Sequence, residues 1–305
     1  MRLRSFTALA LATLSSASTA QMADVVIKPE ILAPGVAVLF GQGGNIGVSY
    51  GPDGTVLIDD QFAPLTPKIE AAIKELGATP VKFLINTHWH FDHSGGNENF
   101  GKAGAIIMAH DNVRVRMAAG AKMLGRTIEP APKVALPILT WHDGLAIHIN
   151  GDNVHTKHMH KGHTDGDSIV HWTNANIFHM GDLFVNKVTL PFIDINSGGS
   201  AKGLLAAIEY VVSKSNAQTK IIPGHGPVGN QADLIAYRDM IKTVMGKVQT
   251  GIKAKMTLAQ IQATKPAAPY EVKGAFISGD AFVEAIYKSL TAPADAHDHG
   301  KGHSH

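Results

Sequence analysis

The chain of 305 residues contains no cysteine. That absence excludes a disulfide framework, a thiolate zinc finger, a cysteine nucleophile and a cysteine-ligated iron–sulfur cluster. It also suits an oxidising compartment, where a free thiol is a liability. Long apolar runs are missing as well, so no segment reaches the roughly 20 apolar residues of a membrane helix. An excess of one charge is missing too. The chain carries 27 Lys+Arg against 25 Asp+Glu, which leaves no basic footprint for nucleic acid. What remains is ordinary for a compact globular protein: 45% hydrophobic and 17% charged residues, enough apolar surface for one large domain or two modest ones. The unusual number is 17 histidines. Imidazole is the commonest metal ligand and titrates near neutral pH.

Residues 1–20, MRLRSFTALALATLSSASTA, read as a secretory leader. Arg2 and Arg4 supply the positive start, Phe6 to Leu14 a short apolar stretch, and Ser18, Thr19 and Ala20 a small-residue cleavage site. Its apolar stretch is about half of what an anchor needs. The expected location is periplasmic or secreted. Cleavage removes two basic and no acidic side chains, so the mature chain has formal charge zero. Residues 21–293 are expected to form one hydrolase domain. Residues 294–305 read as a disordered polar tail carrying His297, His299, His303 and His305.

The body alternates strand and helix signals. Val36–Phe40, Ile46–Tyr50 and Thr55–Asp59 form a meander around the Pro52-Asp53-Gly54 turn. Pro67–Leu76 has helical spacing, and Val81–Ile85 and Ile106–Ala109 read as buried strands. Asp111 is expected to cap a helix running through Met123. Asn150-Gly151 marks a hairpin between Leu145–Ile149 and Val154–His158. Ile169–Trp172, Ile177–Met180 and Lys220–Ile222 follow as strands, with helices at Ser200–Ser213, Ala232–Lys255 and Gly279–Ser289. Two groups of strands, each followed by helices, predict two sheets face to face with helices outside.

Chemistry concentrates in a few segments. Thr87-His88-Trp89-His90-Phe91-Asp92-His93 directly follows a buried strand. Three imidazoles and a carboxylate in six residues do not fit an apolar core. Alternation sends His88 and His90 to one side, and the turn sends Asp92 and His93 to a neighbouring point. Gly162-His163-Thr164, Gly181-Asp182 and Pro223-Gly224-His225-Gly226 each place one ligand type where a strand ends. Any of these alone is weak, since a His or Asp beside Gly is a common turn. Asp59, at the end of Val56-Leu57-Ile58, is a candidate carboxylate behind the ligands.

The order His-x-His-x-Asp-His, Gly-His-Thr, Gly-Asp, Gly-His-Gly resembles the metallo-β-lactamase superfamily, over about Val36 to Gly229. The resemblance implies an α+β fold, a four-layer αββα sandwich with a dinuclear metal site at one sheet edge. Carried onto this sequence, it assigns His88, His90 and His163 to one metal and Asp92, His93 and His225 to the second, with Asp182 bridging. Such a donor set suits two Zn2+ ions, with manganese or iron as alternatives. Histidine at position 90, where oxygen-reducing di-iron members carry a carboxylate, favours hydrolysis. A hydroxide held between two divalent ions would attack a carbonyl carbon, with Asp92 orienting it and moving its proton. Ser94 and Ser168 have no evident base partner and read as structural.

A β-lactam amide is the first substrate class this order suggests, and export agrees with it. The chain departs from the lactamases in detail: Asp182 stands where many carry Cys, and Val185 where the cysteine class carries a substrate-binding Lys. The nearest lysine, Lys187, is the candidate substrate anchor, with Trp89 a further candidate contact. The alternative is a thioesterase or lactonase of glyoxalase II type, whose bridging carboxylate matches Asp182. A third reading is metal storage or delivery, resting on the tail; an enzyme with a zinc-gathering tail is preferred to it. The partner in each hydrolase reading is a small molecule.

Overall fold

The computed structural model describes residues 22–123 and 126–293. The leader at 1–20 and the histidine tail at 294–305 lie outside the described residues.

A seven-stranded sheet has the order β1 (Lys28–Ala33), β2 (Val36–Phe40), β3 (Ile46–Gly51), β4 (Gly54–Ile58), β5 (Val81–Ile85), β6 (Ile106–His110) and, beyond the small hairpin β7 (Ala121–Met123) and β8 (Arg126–Ile128), β9 (Leu139–Trp141). It is antiparallel through β4, then parallel from β4 to β9. A six-stranded sheet follows: β10 (Ala146–Ile149), β11 (Asp152–His158), β12 (Ser168–Trp172), β13 (Ile177–His179), β14 (Lys220–Ile222) and β15 (Gly229–Asn230). Only β13 and β14 pair in parallel there.

The period-2 alternation of the strands builds the layers. Val38, Val56, Ile58, Ile85 and Met108 of the first sheet meet Val154, Val170, Trp172, Ile177 and Ile222 of the second in a dry inner layer. Their neighbours Leu39, Leu57, Leu84 and Ile107 point the other way, onto Ile69 and Ile73 of helix α1 (Thr66–Glu75). Ile169, Phe178 and Ile221 of the second sheet face outward too. After the short α2 (Phe91–Ser94) and α3 (Asn97–Lys102), and α4 (Asp111–Ala119), come the helices that cover that face: α5 (Ala201–Lys214), α6 (Gln231–Lys253), α7 (Leu258–Ala263) and α8 (Gly279–Thr291). Each fully buried Val, Leu or Ile in these layers is worth about 1.5–3 kcal/mol. The result is the αββα sandwich that the strand grouping predicts.

Two boundaries differ from the sequence reading. Helix α4 stops at Ala119, because Gly120 turns the chain at φ 67° and Ala121–Met123 pairs with Arg126–Ile128 as a hairpin. The cap of α4 is His110, whose Nδ1 accepts the Asn112 N–H; Asp111 is the first helical residue. Strand β1 was not anticipated: its exposed, charged sequence KPEILA lacks an apolar pattern and is held by pairing with β2.

Candidate metal centre

Parallel strands end at the same sheet edge, so the loops after β4 and β5 emerge side by side, and those after β13 and β14 face them. His88, His90, His163 and Asp182 form one group and Asp92, His93 and His225 a second; within each, every residue offers a ligand atom within 4.8 Å of the others'. The Asp182 carboxylate straddles them. Its Oδ1 lies 3.1 Å from His93 Nε2 and 3.4 Å from His225 Nε2, and its Oδ2 lies 3.6 Å from His163 Nε2.

Each ring's orientation is set from behind. His93 Nδ1 donates to Asp59 Oδ2 at 2.8 Å, and Thr87 donates its N–H and Oγ1–H to the two Asp59 oxygens at 2.7 Å each. His88 Nδ1 faces the Thr87 hydroxyl at 3.0 Å. His90 Nε2 donates to Asp194 Oδ2 at 3.0 Å, and His163 Nδ1 to the Phe192 carbonyl at 2.7 Å. These bonds orient the rings and turn the opposite nitrogens inward; on His88 and His163, which burial keeps neutral, that nitrogen carries no proton. His90 Nδ1 and His163 Nε2 meet at 2.9 Å, and the buried His88 Nε2 has no hydrogen-bond partner among the described residues. Lone pairs converging in a buried space are what a cation requires, so the donor set fits a metal.

The backbone is shaped around this arrangement. Asp59 and Gln61 are buried with φ of 64° and 55°, left-handed values unusual for non-glycine residues, each costing on the order of 1–3 kcal/mol. Gln61 Nε2 donates to the Gly44 carbonyl at 2.7 Å, and Asp59 is tied down through Thr87. Glycine is required at two approaches: a Cβ on Gly44 would collide with the His93 ring, and one on Gly224 with Asp182 Oδ1. Asn45 reaches across the sheets, its Nδ2 donating to the carbonyls of Pro223 and Gly226, and so positions the His225 loop. Ser94 and Ser168 are structural. Ser94 Oγ donates to the Trp89 and His90 carbonyls, and Ser168 Oγ accepts from Trp141 Nε1.

Protonation divides the two groups. Burial, then the neighbouring imidazoles His93, His163 and His90, hold His88 well below its ordinary value. Burial and His90 push His163 down to about 4. In the other group burial acts in the same direction but is outweighed. Asp182, Asp92 and Asp59 raise His93 well above the usual range, and Asp182 lifts His225 to about 9. Burial would raise Asp182, yet His225 and His93 hold it well below an ordinary carboxylate. Asp194 sits at about 2, burial being overcome by its bonds from His90 and Ser197.

A cavity of about 730 Å³ opens above these residues, with His90, Asp92, Asp182 and His225 on its floor. Its walls are apolar: Phe62, Phe91, Met123, Val185, Phe192 and Phe276. Lys187 does not line it. With φ 65°, its Nζ pairs with Asp233 of α6 at 2.8 Å. Nor does Trp89, which is 3% exposed and packs against Ala109, Val113 and Met117. Asp194, Thr87 and the Phe192 carbonyl were missed by sequence reading. Only the Thr next to the His motif carried a local signal, and Asp194 reaches His90 from 104 residues away.

The sequence matches the metallo-beta-lactamase superfamily over residues 40–236, and the chain belongs to that superfamily. The match places the chain with metal-dependent hydrolases, and its His/Asp groups are positioned for metal. Among solved structures, the metallo-beta-lactamase from Pontibacter korlensis superposes with TM-score 0.57 at 20% identity, covering 71% of this chain and 99% of that one. DIM-1 metallo-beta-lactamase gives TM-score 0.58 at 16% identity, covering 72% and 99%. The stereoselective inverting sec-alkylsulfatase Pisa1 from Pseudomonas sp. gives 0.63 at 16% identity, covering 89% of this chain and 51% of that one. At these identities the likeness is one of fold. A search of curated protein sequences found no match.

Proposed function

We propose that the chain is an exported dinuclear zinc hydrolase that cleaves a carbonyl ester, thioester or lactone bearing an apolar part. The observation that carries this is the Asp182 carboxylate, one oxygen toward the His93/His225 group and the other toward His163. His88, His90 and His163 would hold one ion and Asp92, His93 and His225 the other, with Asp182 able to serve both. Imidazole-rich donors suit zinc ahead of manganese or iron. When bound, two divalent ions supply a water nucleophile ionised near neutral pH and Lewis-acid polarisation of a carbonyl.

The chain's own residues do the rest. Asp92 lies on the cavity floor with Oδ2 3.3 Å from His225 Nε2; it orients the attacking water and carries its proton toward the leaving group. Asp59 and Asp194 keep His93 and His90 in the ligating tautomer. Phe62, Phe91, Phe192 and Phe276 exclude water and hold the apolar part of the substrate. A β-lactam amide, first in the motif order, loses its cationic anchor when Lys187 pairs with Asp233. An ester or lactone held by aromatic walls needs none.

The test is a panel on the mature, zinc-loaded protein: an aryl ester, a thioester, a lactone and a chromogenic cephalosporin. Turnover of the first three above the cephalosporin, lost on chelation and restored by zinc, is the expected result. Cephalosporin preferred over all three returns the β-lactam reading. No turnover of any, with stoichiometric release of zinc to a chelator, would favour storage or delivery.

A further inference from the structure

Each half of the sandwich contributes one pair of aromatic rings to the cavity over the ligand groups. Phe62, after β4, and Phe91, in α2, come from the half built on the first sheet, with centroids 5.8 Å apart. Phe192, in the segment after β13, and Phe276, in the segment before α8, come from the other half; they meet edge to face with centroids 6.1 Å apart. Phe192 also stacks on the His90 ring at 5.8 Å. One apolar wall therefore begins at a proposed metal ligand and runs outward through Phe192 to Phe276.

Phe276 is the open end of that wall. It is 67% exposed, and Val188, which also lines the cavity, is 40% exposed. The backbone beneath Phe276 is held all the same. The Ile277 N–H donates to Thr189 Oγ1 at 2.9 Å and the Gly279 N–H to Glu271 Oε1 at 2.6 Å, while Gly274 turns the chain at φ 75°. A fixed backbone that presents an open aromatic ring at a cavity leaves apolar surface for a ligand to cover. The charge of the lining says what kind of ligand. No lysine or arginine lines the cavity among the described residues, and its ionisable groups are those of the floor: His90, Asp92, Asp182 and His225. A carboxylate or phosphate on the non-reacting part of a substrate would find no fixed cation on these walls. A neutral aliphatic chain gains with every methylene withdrawn from water.

We propose that the carbonyl substrate carries a neutral aliphatic chain of several carbons, and that Phe276, paired with Phe192, sets the preference for its length. The proposal rests on the hydrolase reading for the bond that is cleaved, and on the cavity walls alone for the chain. Phe192 meets the part of the chain next to the reacting carbonyl. Phe276, farther out, meets only a chain long enough to reach it, so its contribution grows with length.

The test measures kcat/KM of the mature, zinc-loaded chain on nitrophenyl acetate, butyrate, hexanoate and octanoate, and on acetate esters of the matching alcohols, each below its micelle concentration. The two series distinguish a chain on the acyl side from one on the alcohol side. In the series that presents the chain to the wall, kcat/KM is expected to rise about 2- to 4-fold per methylene. Phe276→Ala is expected to cut the ratio of longest to shortest substrate about 10-fold, and Phe276→Leu to restore most of it. Position 276 is exposed, and circular dichroism checks that both variants are folded. Displacement of Nile red from the metal-free chain by butanol, hexanol and octanol reads the same wall without turnover; octanol is expected to displace best, and Phe276→Ala to remove most of its advantage. No turnover of any ester tells against the hydrolase reading, and the displacement series then decides the chain site by itself. Ester turnover and dye displacement that are both indifferent to chain length, or a length preference that Phe276→Ala leaves intact, overturn the proposal while ester hydrolysis stands.

Discussion

Removing the Asp194 carboxylate tests the centre through a residue 104 positions from the ring it holds. Asp194 is 5% exposed, and its Oδ2 accepts from both His90 Nε2 at 3.0 Å and Ser197 Oγ at 2.6 Å. In Asp194→Ala the His90 Nε2–H loses its charged acceptor, and ring packing against Phe192 and Trp89 is left to hold Nδ1 toward His163. A hydrogen bond to a charged group contributes about 1.5–3 kcal/mol net. Converted at about 1.4 kcal/mol per tenfold, that is a loss of roughly 10- to 100-fold in zinc affinity. Asp194→Asn keeps an acceptor while losing the charge, so its loss should be the smaller. Because Asp194 stands at about 2, the wild-type advantage should be constant above pH of roughly 4. Competition against a chromogenic zinc chelator measures the affinity, and thermal melts of the metal-free forms separate it from fold stability. The backbone bond from Asp194 N to the His163 carbonyl survives both substitutions. Wild-type zinc affinity in Asp194→Ala would refute the reasoning, since His90 would then need no partner.

Two further outcomes follow from the geometry. His225 is raised to about 9 in the metal-free protein, burial being outweighed by Asp182. A raised imidazole contributes stability fully below its unfolded value of about 6.5 and loses it as pH climbs through the folded value. The melting-temperature gap between wild type and His225→Ala, both metal-free, should be wider at pH 6 than at pH 9.5; a gap that widens with pH contradicts the assignment. Lys187→Ala breaks only an exposed pair with Asp233, worth about 0–1 kcal/mol. Its KM for an ester or a cephalosporin should change less than about 2-fold, and a KM rise of tenfold or more specific to cephalosporin would place Lys187 on the substrate.

Much of the layer architecture was legible because periodicity is local. Val56 and Ile58 alternate with Leu57 wherever the strand lies, and a buried strand must show that pattern. The hairpin at Asn150-Gly151 was legible for the same reason, its turn geometry residing in two residues with positive φ. Strand β1 was not, because KPEILA has no face of its own and exists through its pairing. The end of α4 was missed where a glycine turn and hairpin pairing overrode a continuing helix signal.

The candidate centre divides along the same line. Sequence alone marked which side chains are able to ligate, since His88, His90, Asp92 and His93 lie within six residues and His163, Asp182 and His225 sit in the loops after β11, β13 and β14. Tertiary structure alone decided how they are held and what surrounds them. It brought Asp194 behind His90, both Asp59 oxygens behind Thr87 and His93, Lys187 onto Asp233, Trp89 into the core, and Phe276 beside Phe192. The physical reason is range. A ligand type and its spacing are written in neighbouring residues, whereas a ring's tautomer and a side chain's partner depend on groups up to a hundred residues away that only packing brings within about 3 Å.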